Sequence, residues 1–266
     1  MNNYEALKNR LVHCKPVTMS NLMVTSSPLL LNALTTSDCV LLDKEHGIYD
    51  SESLVPMTMQ CRHLQFPASV RVEDSLYHLI AKALDLGADG IMLPRVERME
   101  QLAAAIDAMH FPPTGRTGYG GWGLRRAGES LEDFQHDRIL MVQIESVQGR
   151  ELIPEMVEKY GDFIDAFIVG PNDYSFSLGL PRQTTHSKVE SEIQLVFDLC
   201  RRLGKSCGCY SSTPALAKRY DEMGANVAWI GSDEKYLALG LHQYLDALPQ
   251  VETESAVKES PDSNSY

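Results

Sequence analysis

Eight short apolar runs, at 16–24, 39–43, 67–72, 91–94, 139–145, 163–169, 205–210 and 227–231, alternate with segments whose apolar residues recur at helical spacing. Several of the runs are apolar almost throughout, as strands covered on both faces of a parallel sheet must be. The intervening helical segments fall at 4–14, 28–34, up to about 62, 76–86, 96–109, 189–203, 214–223 and 236–248, with another expected to start near Pro154. Gly87, Gly204 and Gly224 stand where three of these should stop. Strand and helix alternating eight times is the pattern of an α/β chain of the (β/α)8 TIM-barrel type. An open doubly wound sheet would need a glycine-rich phosphate turn after the first strand, and none is present.

The 266 residues suit one barrel domain over 1–250, followed by a polar tail at 251–266 that should be disordered. A net charge of -12 argues against a phosphate-backbone partner, so nucleic acid is not expected. No apolar run reaches the roughly 20 residues of a membrane span, and the first residues lack a basic and hydrophobic leader, so no membrane partner and a cytoplasmic location are expected. Six cysteines without a CxxC pair read as reduced, packed thiols, Cys207 and Cys209 on one strand face. The segment 112–123 carries five glycines and reads as a functional or mobile loop.

Charged residues close several of the apolar runs at their C-terminal ends. Asp43, Arg71, Glu145 and Asp173 fall at or just beyond the C-terminal ends of different strands, which in a barrel converge on one mouth. Glu145 and Asp173, ending adjacent strands, would form an oxygen-only site suited to Mg2+ and also to Mn2+ or Co2+; otherwise they are rim carboxylates paired with Arg95 or Arg71. Arg71 could place a planar cation over a developing enolate oxygen or make an ordinary rim salt bridge. His46, in an Asp-x-Glu-His-Gly loop, is a general-base candidate, directly or through a water, or else a solvated histidine. Lys44 could form a Schiff base, but beside Asp43 and Glu45 it reads as a paired charge.

Five stretches in order resemble a known family: Leu-Leu-Asp43-Lys-Glu-His46-Gly, Val70-Arg71-Val, the run from Leu84-Asp85 through Pro94-Arg95-Val-Glu, Val142-Gln143-Ile-Glu145, and Ile168-Val-Gly170-Pro171-Asn-Asp173. Together they look like the HpcH/HpaI family of metal-dependent class II pyruvate aldolases, which includes 2-keto-3-deoxy-sugar-acid and hydroxy-oxo-heptanedioate aldolases. The resemblance implies Glu145 and Asp173 as metal ligands, Arg71 on the enolate with Gln143 beside it, and Gly170 and Pro171 cradling the substrate carboxylate. It implies His46 as the base, supported by Asp43 and by Asp85, the latter supplied by a neighbouring subunit. It further implies a homo-oligomer, a hexamer built as a dimer of trimers with exchanged C-terminal helices, and a small-molecule 2-oxo acid substrate.

On this reading the chain is an aldehyde-lyase acting on a 4-hydroxy-2-oxo acid through a pyruvate or oxaloacetate enolate, with oxaloacetate decarboxylation as a side activity. The alternative is a transferase condensing oxaloacetate with acetyl-CoA in siderophore or natural-product biosynthesis. Two departures from the family pattern bear on the second substrate. Thr117 stands where the loop usually carries arginine, and Arg95 stands where methionine is common.

Overall fold

The computed structural model describes residues 2–120, 129–136 and 138–248. All eight expected strands form: β1 Val17–Leu22, β2 Cys39–Asp43, β3 Ala68–Arg71, β4 Gly90–Leu93, β5 Ile139–Ile144, β6 Ala166–Val169, β7 Ser206–Ser211 and β8 Val227–Ile230. They pair in parallel in sequence order, and β8 pairs back onto β1 with Met19 opposite Trp229, closing the barrel. The fold is the expected (β/α)8 barrel.

The helices are α1 Asn3–Val12, α2 Leu31–Leu34, α3 Ser51–His63, α4 Tyr77–Asp85, α5 Met99–Met109, α6 Leu131–His136, α7 Val147–Tyr160, α8 Pro171–Ser177, α9 Ser187–Arg202, α10 Pro214–Met223 and α11 Asp233–Ala247. Local chemistry sets several starts. Asn2 caps α1 reciprocally with Glu5, and Thr213 caps α10 with Pro214 at its first position. Gly224, at φ +107, ends α10 in the left-handed conformation that glycine adopts without strain.

Alternation along the strands divides the core. Val40 and Leu42 of β2 face the helices with Ile91, Phe167 and Phe197, while Leu41 faces the lumen with Met19, Met92, Ile168 and Trp229. Leu7 and Leu11 of α1 belong to the lumen cluster, and the Ser206 hydroxyl donates to the Leu11 carbonyl. Helix α1 therefore plugs the N-terminal end, leaving the C-terminal mouth as the way in.

One local expectation changes, and two helices appear where the sequence assigned none. Pro154 lies inside α7, which starts about two turns earlier where the Ser146 hydroxyl accepts from the Gly149 amide; Ile153 and Met156, both buried, hold the helix to the barrel across the proline. The segment after β6, to which the sequence assigned no element, is helix α8, with Pro171 at the first helical position where its missing N–H costs nothing. Helix α6 had no counterpart in the sequence reading. The tail from residue 251 onward and part of the 112–123 loop lie outside the described residues. The cysteines are all unpaired thiols, five of them buried, with Cys207 and Cys209 together on the helix-facing side of β7. Among the described residues no helix is long and apolar enough to cross a membrane.

Candidate active site

The mouth holds a cavity of about 200 Å³ lined by His46, Arg71, Gln143, Glu145, Gly170, Pro171 and Asp173 on one side. Asn21, Tyr210, Trp229 and Lys235 line the other side. The volume is below the roughly 300–1,000 Å³ of a drug-sized ligand site and suits small acids.

Arg71, at the end of β3, is clamped by Asp43 at the end of β2. Its Nε donates to Asp43 Oδ1 at 2.9 Å and its Nη2 to Oδ2, and the two residues are opposite each other in the sheet. The remaining nitrogen, Nη1, reaches Gln143 Oε1 at 3.4 Å and Glu45 Oε2 at 3.3 Å. Burial alone would lower the Arg71 pKa, but Asp43, Glu45 and Glu145 more than offset it and hold the guanidinium charged. The guanidinium also lies 5.2 Å from the Trp229 ring centroid.

Asp43 does not touch the His46 imidazole. Its Oδ1 accepts the backbone amides of Glu45 and His46 at 3.1 and 3.2 Å and so shapes the loop. The imidazole faces Glu45, with Nε2 3.8 Å from Glu45 Oε2. Glu45, in the sequence only a neighbouring charge, has its side chain enclosed between Arg71, His46 and Arg95, whose Nη2 is 3.1 Å from Glu45 Oε1. Lys44 points away to Glu73 at 2.8 Å, so it is the paired charge and not a Schiff-base lysine.

Glu145 follows β5 and is 6% exposed. Its Oε1 accepts from Gln143 Nε2 at 2.5 Å and its Oε2 from the Arg95 amide at 3.1 Å. Arg95 is at φ +48, an uncommon conformation for an arginine, and that backbone turn delivers the amide. Burial first, then Asp173 and Glu45, push Glu145 up to about 8, against the pull of Arg71 and the Arg95 amide. Asp173 enters from the first turn of α8, on the neighbouring strand's exit. Gly170 permits the approach: a Cβ there would lie 2.2 Å from Glu145 Oε1 and 2.7 Å from Gln143 Nε2.

The charge pattern fits a divalent cation. Asp43 is matched by Arg71 and Glu45 by Arg95, while among the described residues no lysine or arginine makes an ion pair with Glu145 or Asp173. Two hard carboxylate donors at the exits of adjacent strands, one pushed toward its neutral form, suit a hard divalent ion. No cluster of three or more His, Cys, Asp or Glu side chains forms a metal site among the described residues, so the protein would supply two carboxylates and substrate or water the rest.

Asp85 is not at the mouth. It ends α4, a few residues before β4 begins, which places it at the opposite end of the barrel, beside Gly118 and Gly120 of the 112–123 loop. It cannot support His46 of its own chain. Burial raises its pKa although Lys82 opposes the shift.

Residues 24–239 match the HpcH/HpaI aldolase/citrate lyase family. The chain is 30% identical over 214 residues to the 5-keto-4-deoxy-D-glucarate aldolase of Salmonella paratyphi C, covering 78% of this chain and 83% of that one. It is 29% identical over 243 residues to the 2-keto-3-deoxy-L-rhamnonate aldolase of Salmonella gallinarum, covering 89% and 90%. Its barrel superposes on a solved HpcH/HpaI family protein of Burkholderia cenocepacia with TM-score 0.83 at 25% identity, over 91% of this chain and 98% of that one.

Proposed function

The chain belongs to the HpcH/HpaI aldolase/citrate lyase family, and from that premise we propose that it is a divalent-metal-dependent aldolase cleaving a 4-hydroxy-2-oxo acid to pyruvate and an aldehyde. The observation that carries the reading is the pair Glu145 and Asp173, carboxylates that form no ion pair with a lysine or arginine among the described residues, in a small cavity beside the buried Arg71 guanidinium.

Glu145 and Asp173 would hold a divalent ion, Mg2+ first with Mn2+ or Co2+ as substitutes, which would supply Lewis-acid polarisation of the substrate ketone. Gly170 and Pro171 border the space for the substrate carboxylate. Arg71, fixed by Asp43, lines the cavity, where its guanidinium stabilises negative charge developing on the ketone oxygen. In cleavage the base removes the proton of the C4 hydroxyl, the C3–C4 bond breaks, and its electron pair passes into the C2–C3 bond of the enolate. Protonation at C3 then releases pyruvate.

His46 is the base of this scheme, half-exposed at the rim and oriented by Glu45. Asp85, at the other end of its own barrel, takes part only when a second subunit brings that end to the mouth. A hexamer in which C-terminal helices are exchanged would do so. It would also cover Leu237, Leu241 and Tyr244 of α11, which are 60%, 60% and 78% exposed in one chain.

The test is direct. With Mg2+ the protein should release pyruvate from 4-hydroxy-2-oxo acids, and a chelator should stop it. Release of free coenzyme A from acetyl-CoA that depends on oxaloacetate would overturn the aldolase reading in favour of the condensing transferase.

A further inference from the structure

Arg95 bonds to both halves of the site without lining the cavity between them. Its amide donates to Glu145 Oε2 at 3.1 Å, and its Nη2 lies 3.1 Å from Glu45 Oε1. Neither Arg95 nor Glu45 is among the residues that line the cavity, so any effect of Arg95 on the reaction passes through other side chains. The turn that carries it is held in place. Arg95 stands at φ +48, uncommon for a residue with a Cβ, two positions beyond the end of β4. The Gln101 side chain of α5 donates to the Arg95 carbonyl at 3.1 Å and accepts the amides of Glu97 and Arg98 at 2.9 and 3.0 Å.

The two oxygens of Glu45 have different surroundings. Oε1 is taken by Arg95. Oε2 is buried without a hydrogen bond, with Arg71 Nη1 3.3 Å away and His46 Nε2 3.8 Å away. A buried carboxylate oxygen in that state is held by nearby positive charge or not at all. Burial raises the Glu45 pKa and Asp43 adds to the rise, while Arg71, His46 and Arg95 oppose it. The oxygen thus lies between the imidazole that is to move a proton and the guanidinium that is to meet the enolate.

We propose that Arg95 is a positioning residue for His46: by holding Glu45 at Oε1 it keeps Oε2 between the imidazole and Arg71, and its amide ties that arrangement to Glu145. The assignment rests on the aldolase reading and adds a residue to it. Without the Arg95 guanidinium, Glu45 can turn onto Arg71, and its negative charge acts on the imidazole undiminished. The imidazole then keeps its proton to higher pH, and a base must be neutral to accept one. The other charged groups around the pair are Asp43 of β2, Arg71 of β3, Glu145 after β5, Asp173 of α8, and Glu234 and Lys235 of α11. All of them remain when Arg95 alone is replaced.

The experiment compares wild type, Arg95→Met and Arg95→Lys at saturating Mg2+. Arg95→Met keeps the amide on Glu145 and loses the cation on Glu45, so Mg2+ affinity should hold while kcat falls about 10–100-fold. The acidic limb of its kcat/KM profile should move up by about half a unit to one unit of pH. Arg95→Lys should recover most of the loss. In a Glu45→Gln background, Arg95→Met should cost little more, because the partner through which it acts is gone. An unmoved limb, equal losses in the Met and Lys variants, or a full loss in the Glu45→Gln background would overturn the assignment. A second measurement stands apart from turnover. The His46 side chain is 49% exposed, and diethyl pyrocarbonate modifies only neutral imidazole. Its rate at His46, read by mass spectrometry of the peptide across pH, should reach half-maximum at higher pH in Arg95→Met than in wild type. If wild type shows no C3 proton exchange of pyruvate, the aldolase reading fails; this titration still supports the role of Arg95 by shifting or contradicts it by standing still.

Discussion

Gln143 Nε2 donates to Glu145 Oε1 across 2.5 Å, while the other end of the same amide accepts from Arg71 Nη1 at 3.4 Å. One side chain thereby fixes the distance between the cationic and the anionic halves of the site. Gln143→Leu should leave Glu145 Oε1 without its donor and Arg71 free to swing. We expect metal affinity or turnover to fall about 10–100-fold with the melting temperature little changed. Metal titration by calorimetry alongside steady-state rates would show it.

Gly170→Ala probes the close approach of β6 to Glu145. Its Cβ would lie 2.2 Å from Glu145 Oε1, so the carboxylate must move. The expected outcome is a large rise in the metal dissociation constant with the far-ultraviolet spectrum preserved. The contrasting substitution is Gly208→Ala, where the Cβ would lie 2.1 Å from the Val227 backbone oxygen. There β7 and β8 must separate, and loss of stability is expected instead.

Arg71→Lys keeps the charge but loses the two-pronged clamp on Asp43, which is fully buried. Turnover should drop by a factor of about 10²–10³, the usual consequence of removing a pre-oriented donor. Arg71→Met would leave Asp43 uncompensated and cost about 3–5 kcal/mol of stability, measurable by urea unfolding.

Metal should stabilise the protein more as pH rises. Glu145 is pushed up to about 8 in the metal-free chain, and burial likewise raises Glu45. The folded state then holds more protons than the unfolded state between about pH 4.5 and about pH 8, so metal-free stability falls through that window. A divalent ion takes the place of the proton and cancels the loss. The Mg2+-induced rise in melting temperature should therefore be larger at about pH 8 than at about pH 6. A rise that is flat or shrinks over this range would contradict the electrostatics.

The barrel was legible because eight apolar runs alternate with helices, and the mouth was legible because Asp43, Arg71 and Glu145 close apolar runs at their C-terminal ends. Glu145 stood out as an acid closing an apolar strand. Other parts depend on contacts that no local pattern encodes. Asn21 and Trp229 are ordinary strand residues until closure sets Met19 opposite Trp229, more than 200 residues away. Glu45 reads as loop charge until Arg71 and Arg95 arrive from β3 and β4. Asp85 enters the reading only through the family resemblance, as a residue of a neighbouring subunit, and the course of α4 carries it to the far end of its own barrel.

Exchange of the C3 protons of pyruvate in D2O, followed by proton NMR on chelator-stripped and Mg2+-reloaded protein, tests the account most directly. It isolates enolate formation from every question about the second substrate. Wild type should exchange only with metal present, and Glu145→Ala and Asp173→Ala should stay folded and lose the exchange. Exchange that persists at the wild-type rate in either variant, or is absent from folded, metal-loaded wild type, would contradict it.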